Sequence, residues 1–325
     1  MLHFTFLGTS SGVPTRYRNV SGLAIKDRHS KDWLLIDAGE GTQHRIQHAK
    51  LSLQHLIAVC ITHVHGDHCY GLMGLLASAG MNGRQQPLTL IAPVEIQAWL
   101  TASMRLTDLH LPYPIQFIDA RHLSTAHSLN KNLSIQSHVL HHRVPCYAFS
   151  INAVQTQRKL NTEALHAIGL PKGELWGVLQ QGQTVEWLGQ HLDPADFVIT
   201  STQTVRAVIA GDNDQPELLS TACQAAHLLI HESTYDQACL DRIGPAHMHS
   251  SAKMLAQFAQ QQQLPYLILT HFSPRYHNTA GFKLLANEVA ANFQGEFYLA
   301  DDFDQYHLDA SGQLQQLYHR DIGDF

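Results

Sequence analysis

Short apolar runs restrict the fold of this sequence most, because each has the length and composition of a buried β-strand. They occupy positions 2–8, 33–39, 56–62, 88–93, 205–211, 226–232 and 264–270. Segments with helical periodicity separate several of these runs, as at 40–50 and 251–263. This alternation predicts an α/β fold with mixed sheets.

Composition limits the possible classes of protein. The chain has 325 residues, of which 44% are hydrophobic, so it can bury a large core in one domain or two. No apolar run approaches the roughly 18 residues of a membrane span, and the first residues do not resemble a signal peptide, so we expect a cytoplasmic protein. A net charge of −6 argues against a general polyanion-binding surface, although a local basic patch remains possible.

The cysteine and histidine content indicates which residues could bind a metal. The five cysteines are odd in number and form no C-x-x-C pair, so we expect them to be reduced and not to bind zinc. The chain also contains 24 histidines, and only clustered ones are therefore informative. The segment 152–196 differs from the rest, because it is glycine-rich with weak strand character. It is predicted to be an inserted arm outside the core.

Several predicted strands end in a residue that can bind a metal. His63, His141, Asp212 and His271 each follow an apolar run, and ligands collect at the carboxyl ends of strands in α/β sheets. Around the first of these, the stretch 61–71 reads ITHVHGDHCYG, which adds two histidines and an aspartate. Imidazole and carboxylate groups suit zinc, and two adjacent ions can activate a water at neutral pH. The sequence therefore predicts a metal site at a sheet edge.

Two of these assignments have neighbours that compete with them. His138 and His142 lie close to His141, and Asp214 lies close to Asp212. Spacing alone does not choose between the members of each set.

The H-x-H-x-D-H motif resembles the signature of the metallo-β-lactamase superfamily, which has an αββα sandwich fold with a dinuclear site at one edge. Further motifs, in order, resemble those of ribonuclease Z, the endoribonucleases that trim the 3′ end of precursor tRNA. They are FLGTSSGVPTRYRNVSGLAI, DAGEGTQ, HRVPCYAF, GDN, HEST, HSSA and HFSPRY. The resemblance covers nearly the whole chain, treated as a single domain over 1–325, and implies that 152–196 is a tRNA-binding arm.

The resemblance also implies a ligand set for two zinc ions per subunit, with manganese or cobalt as possible substitutes. One ion would be held by His63, His65 and His141, and the other by Asp67, His68 and His271, with Asp212 bridging them.

Catalytic roles follow from the same resemblance. Asp67 would help to orient or deprotonate the attacking water, and His249 would give a proton to the departing 3′ oxygen. Glu232 would orient His249, while His247 remains a rival proton donor. The products would be an RNA with a 3′-hydroxyl and a trailer with a 5′-phosphate.

Substrate contacts and partners are further expectations. The residues predicted to meet RNA phosphates are Arg16, Arg18, Arg143, Lys172 and Arg275. The family generally works as a homodimer, and its arm commonly carries Gly-Pro where this chain has Gly173-Glu174. Alternative hypotheses are a phosphodiesterase or small-ester hydrolase of the same superfamily, and a metal-bearing binding protein without catalysis.

Overall fold

A computed structural model describes residues 1–28, 30–276 and 278–319. The chain divides into two compact units, the first formed by Met1–Ala153 with Val205–Phe325 and the second by Val154–Thr204. No helix in the described ranges is both long enough and apolar enough to cross a bilayer.

The strands of the described residues fall into two large sheets and one hairpin. In chain order they are β1 (Leu2–Gly8), β2 (Gly22–Asp27), β3 (Trp33–Ile36), β4 (Leu56–Cys60), β5 (Leu88–Ala92), β6 (Ile115–Asp119), β7 (His127–Ser128), β8 (Leu133–Leu140), β9 (Cys146–Leu160), β10 (Val185–Trp187), β11 (Gln190–Leu192), β12 (Val198–Ile209), β13 (Leu228–Glu232), β14 (Tyr266–Thr270), β15 (Glu296–Leu299), β16 (Gln305–Leu308) and β17 (Leu314–Tyr318).

The α-helices of the same residues vary from one turn to about four turns. In chain order they are α1 (Thr42–His48), α2 (Gly66–Cys69), α3 (Leu72–Met81), α4 (Val94–Leu106), α5 (Thr162–Ala167), α6 (Glu174–Gln180), α7 (Pro194–Phe197), α8 (Ser220–Cys223), α9 (Gln237–Ile243), α10 (Ala252–Gln261) and α11 (Thr279–Asn292).

Both large sheets are mixed, as the sequence predicts. The first has the order β17-β16-β1-β2-β3-β4-β5-β6, and the second has the order β15-β14-β13-β12-β9-β8-β7. Strands β3 to β6 are parallel in the first sheet, and β12 to β15 are parallel in the second. The two sheets pack face to face through apolar side chains such as Phe4, Leu34, Phe149 and Ile268.

Helices cover the outer face of each sheet. Residues of α3 and α4, such as Leu75 and Ile96, pack on the first sheet, and residues of α10 and α11, such as Leu255 and Val289, pack on the second. The layers are therefore helix, sheet, sheet and helix, which confirms the αββα sandwich. Since β4, β12, β13 and β14 are parallel within their sheets, their carboxyl ends deliver the following residues to one edge.

The second unit has a small core of its own, formed by residues such as Leu165, Trp176, Leu179 and Phe197. Its bounds overlap the predicted arm at 152–196 but end later, at Thr204. Strands β9 and β12 supply its first and last residues, and β10 and β11 form a hairpin. The segment therefore contains more strand than its sequence suggested, because these strand ends are polar and lack an apolar alternation.

Candidate metal centre

The turn after β4 places four polar side chains at the sheet edge. His63 is fully buried, His65 precedes the first residue of α2, and Asp67 and His68 lie within that one-turn helix. The helix fits against the 37–39 segment because Gly39 has no side chain. A Cβ at this position would collide with the backbone carbonyl of Asp67. The sequence H-x-H-G-D-H thus folds into a turn that directs its polar groups inward.

One group of side chains contains His63, His65, His142 and Asp212, whose ligand atoms all lie within 4.8 Å of one another. Nδ1 of His65 lies 3.0 Å from Nε2 of His63 and 3.2 Å from Nε2 of His142. Oδ2 of Asp212 lies 3.6 Å from Nε2 of His63 and 3.7 Å from Nε2 of His142. Three imidazole nitrogens and one carboxylate oxygen therefore converge on one point.

A second group contains Asp67, His68 and His271. The Nε2 atoms of His68 and His271 are 3.2 Å apart, and Oδ2 of Asp67 lies 3.6 Å and 3.3 Å from them. Oδ1 of Asp212 lies 3.5 Å from each of the same two nitrogens. The two oxygens of Asp212 thus face different groups, which is the arrangement of a bridging carboxylate.

The structure corrects the assignment of His141, because His142 is the histidine that joins the first group. The His141 side chain is 45% exposed, and its Nδ1 lies 2.6 Å from Oδ1 of Asp214. Side chains alternate between the two sides of a strand, and Leu140 at the end of β8 is buried. His142 continues the inward side and His141 the outward one. The rival Asp214 pairs with His141, away from both groups.

The Nδ1 atoms of several clustered histidines have partners outside the cluster. Nδ1 of His68 lies 2.7 Å from Oδ2 of Asp37, and Nδ1 of His142 lies 3.0 Å from the carbonyl oxygen of Met248. Nδ1 of His271 lies 3.0 Å from Oγ1 of Thr234. With Nδ1–H as the donor in each case, Nε2 keeps its lone pair for the centre. Thr234 belongs to the HEST motif, yet this role was not predicted.

The backbone around the centre adopts an uncommon conformation. Asp37, Met248 and His271 all have positive φ values, of 60°, 54° and 58°. For residues other than glycine this region costs on the order of 1–3 kcal/mol, and such residues concentrate at functional sites. The fold therefore tolerates backbone strain at these three residues, which belong to the cluster or contact its histidines.

Electrostatics shows that the cluster suits a cation. Burial would raise the pKa of Asp212, but His271, His68 and His63 hold it well below its usual range. Burial lowers the pKa of His63, with a further contribution from His68. Oδ1 of Asp212 is buried without a hydrogen-bond partner among the described residues. An unpartnered carboxylate oxygen among imidazole nitrogens fits a bound metal ion, and this donor set suits zinc.

His249 lies beside the bridging carboxylate. Its Nδ1 lies 3.5 Å from Oε1 of Glu232 and 3.8 Å from Oδ2 of Asp212. Burial would lower the pKa of His249, but these two carboxylates raise it to about 9. Glu232 is itself buried and accepts hydrogen bonds from the backbone N–H groups of Ser250 (2.6 Å) and Thr234 (2.9 Å). His247 is exposed in the preceding turn, so the structure places His249 at the centre instead.

The predicted RNA contacts have different environments. Arg16, Arg143 and Lys172 are exposed, the last of them in the second unit. Arg275 is also exposed, but its guanidinium donates to Ser273 Oγ (3.0 Å) and to Cys239 Sγ, and its guanidinium carbon lies 5.1 Å from the centre of the Tyr235 ring.

Arg18 is less exposed than this set, and its guanidinium donates to Asp301 Oδ2 (3.0 Å), to the carbonyl oxygen of Ala300 (2.8 Å) and to Thr9 Oγ1 (2.6 Å). These hydrogen bonds use the Arg18 guanidinium for contacts within the protein, which argues against its predicted role as an RNA phosphate contact.

Comparisons with known proteins agree with this geometry. The family described as "Anti-Pycsar protein Apyc1" matches residues 2–162. The structure of human tRNase Z, short form, superimposes with a TM-score of 0.62 at 23% identity, covering 93% of this chain and 98% of that one. The metallo-β-lactamase fold protein YhfI from Bacillus subtilis gives a TM-score of 0.63 at 18% identity, covering 94% and 98%. These structural likenesses show the fold.

Sequence relatives are more specific. A protein named ribonuclease Z from Marinobacter nauticus is 43% identical over 323 residues, which cover 98% of this chain and 100% of the relative. A protein of the same name from Enterococcus faecalis is 33% identical, covering 90% and 94%. Identity of this level over nearly the full length confirms the resemblance seen in the motifs, and the chain belongs to the ribonuclease Z family.

Proposed function

We propose that this chain is a zinc-dependent endoribonuclease that removes the 3′ trailer from precursor tRNA and leaves a 3′-hydroxyl. The shared Asp212 carboxylate is the observation that carries the proposal, because its two oxygens face separate ligand groups. One ion would be held by His63, His65 and His142, and the other by Asp67, His68 and His271, with Asp212 bridging. Two such cations would neutralise phosphate oxygens and lower the pKa of the attacking water. Manganese or cobalt would also fit nitrogen and oxygen ligands.

Residues of the chain would supply the remaining steps. Oδ2 of Asp67 accepts a hydrogen bond from the backbone N–H of Gly12 (2.7 Å), which fixes it where it can orient the attacking water. The water oxygen forms a bond to phosphorus as the bond from phosphorus to the 3′ oxygen breaks. His249 gives its proton to that oxygen, and Glu232 orients the His249 ring. The new phosphate then remains on the 5′ end of the trailer.

The RNA-binding surface is proposed from exposed cations and one cavity. A cavity of about 640 Å³ is lined by Arg16, Tyr17, Phe272 and Phe282, among others. Phe272 directly follows the proposed ligand His271 in sequence, but none of the proposed ligands is among the residues that line this cavity. Aromatic faces beside a cation suit an unpaired nucleotide. Arg143 and Arg275 are proposed as phosphate contacts on the same unit.

The second unit is proposed to bind tRNA, and the protein to act in the cytoplasm as a homodimer. The tRNA role is supported by the exposed cations of this unit, although residues 154–204 contain three Lys or Arg against five Asp or Glu. Lys172 precedes the N-cap Gly173 and the first residue of α6, Glu174, and the resemblance places a Gly-Pro pair at these last two positions. Binding through such a unit would depend on a local patch and weaken with added salt.

The test uses dialysed protein, with and without added zinc or manganese, and a precursor tRNA bearing a 3′ trailer. Both product ends are mapped. A metal-dependent cut beside the discriminator base that leaves a 3′-hydroxyl, and that is lost in Asp67→Ala, supports the proposal. If only a small phosphodiester such as bis(p-nitrophenyl) phosphate is cleaved, the protein is instead a phosphodiesterase of the same fold.

A further inference from the structure

The loop formed by residues 9–19 reaches one of the proposed ligands. It follows β1, and its Gly12 N–H donates to Oδ2 of Asp67 at 2.7 Å. The same oxygen lies 3.3 Å from Nε2 of His271, so the loop holds an atom that faces the centre. A shift of this loop would therefore move or release the Asp67 carboxylate.

The position of the loop is set partly by a backbone contact, because the Ser11 N–H donates to the carbonyl oxygen of Phe272 (3.0 Å). Gly12, Val13 and Pro14 are exposed, and Gly12 has a φ of 72°. The two ends of the loop are joined, because the N–H groups of Thr9 and Ser10 both donate to the carbonyl oxygen of Asn19, at 2.9 and 2.8 Å. The position of the Gly12 amide therefore depends on this base together with the Phe272 contact.

A buried carboxylate fixes the base. The Asp302 side chain is fully buried and accepts hydrogen bonds from the Asn19 N–H (2.7 Å) and from Thr9 Oγ1 (2.8 Å). It also pairs with the guanidinium of Arg45, whose Nε donates to the carbonyl oxygen of Leu7 (3.0 Å). Asp302 thus contacts both ends of the loop, and Arg45 joins it to the end of β1.

We propose that Asp302, together with Arg45, is a positioning residue that holds the 9–19 loop so that the Gly12 amide keeps Asp67 directed at the metal centre. The effect on RNA cleavage rests on the proposed function, whereas the effect on metal binding does not. The Asp302 carboxylate acts through the loop and not on the substrate.

Asp304 offers a matched control from the same acidic turn. Its side chain is also fully buried, but its carboxylate accepts hydrogen bonds from Tyr306 Oη (3.1 Å) and the Asp301 N–H (2.9 Å), and lies 2.9 Å from Nδ1 of His319. Asp302→Ala, Asp302→Asn and Asp304→Asn are compared by cobalt titration with visible absorption, by thermal midpoint, and by kcat and KM. The substrates are precursor tRNA and bis(p-nitrophenyl) phosphate.

We expect Asp302→Ala to lower kcat on both substrates by about 10- to 100-fold, the range for contacts that orient metal ligands. It should also weaken the binding of one cobalt ion and change its absorption, with KM for tRNA nearly unchanged. Asp302→Asn should lose less, because its single amide oxygen can still accept from the Asn19 N–H, while the NH2 group replaces the oxygen that accepts from Thr9. Asp304→Asn should lower the thermal midpoint and leave the cobalt spectrum unchanged.

Equal losses of stability in the Asp302 and Asp304 variants, with native cobalt spectra and kcat, would overturn the proposal. Should Asp302→Ala fail to fold, Asp302→Asn and Arg45→Lys carry the same test. Both then have to alter the cobalt spectrum more than Asp304→Asn does. If the native protein does not cut tRNA, the proposed function fails, and the cobalt titration still decides the role of Asp302.

Discussion

The metal centre and the second unit use polar residues in opposite ways. At the centre, His63, Asp212 and His271 follow strands and His68 lies in α2, and these buried side chains face one another. The second unit buries a small apolar core around Trp176 and exposes its charged side chains. Polar groups are buried at such cost only where they have partners or a ligand.

From this difference we expect chemistry and substrate selection to depend on different regions. The centre contains groups that can act on any phosphodiester, while residues 154–204 can contribute only through exposed contacts. Variants at the centre should therefore affect every substrate, and variants of the second unit should affect tRNA alone. The predictions below test that separation, beginning with the largest effect.

Replacing His142 should abolish activity, whereas replacing His141 should not. His142→Ala removes a nitrogen that lies 3.2 Å from Nδ1 of His65, so the first group loses a ligand. We expect metal content to fall and cleavage of both tRNA and bis(p-nitrophenyl) phosphate to drop to background. His141→Ala removes an exposed pair with Asp214 and serves as the control. Metal analysis that shows the reverse pattern would restore His141 as the ligand.

Loss of His249 should depend on the leaving group. His249→Ala removes the proposed proton donor, and general acid catalysis contributes roughly 10²- to 10⁴-fold. We expect a loss in this range for tRNA, whose 3′ oxygen leaves as a strong base. The loss should be much smaller for bis(p-nitrophenyl) phosphate, because p-nitrophenolate leaves without protonation. His247→Ala, exposed in the preceding turn, should match the native protein on both substrates. Equal losses for both substrates would contradict the role of His249 as donor.

Thr234→Val should have an intermediate effect on both substrates. The Thr234 hydroxyl lies 3.0 Å from Nδ1 of His271 and donates to Oε2 of Glu232 (2.7 Å), so it links a proposed ligand to the residue that orients His249. Valine keeps the shape and removes these bonds. We expect metal affinity or kcat to fall by about 10- to 100-fold. Thr234→Ser, which retains the hydroxyl, should recover most of the lost metal affinity and kcat. Native metal affinity and kcat in Thr234→Val would exclude a role for the Thr234 hydroxyl.

The sequence predicted the parts of the molecule that depend on local pattern. The run at 2–8 matches β1, and the polar residues after β4 and β14 lie at one edge, because an apolar run marks a buried strand and its end. The sequence could not decide between His141 and His142, since both are histidines and only the direction of the chain after Leu140 separates them. Thr62 and Thr234 were missed as partners of ligand histidines, because a hydroxyl next to a strand end is common and its partner is distant in sequence.

The smallest effect is expected in the second unit. Lys172→Glu changes an exposed charge and should leave kcat on bis(p-nitrophenyl) phosphate unaltered. If Lys172 meets a tRNA phosphate, the variant should bind precursor tRNA several-fold more weakly at low salt. The slope of log affinity against log salt concentration should then fall by about one, as for one lost phosphate contact. Lys131→Glu, an exposed lysine of the first unit between β7 and β8, controls for the change in net charge. Equal slopes for both variants would place the tRNA contacts elsewhere, and an effect of Lys172→Glu on the small diester would break the separation between the two regions.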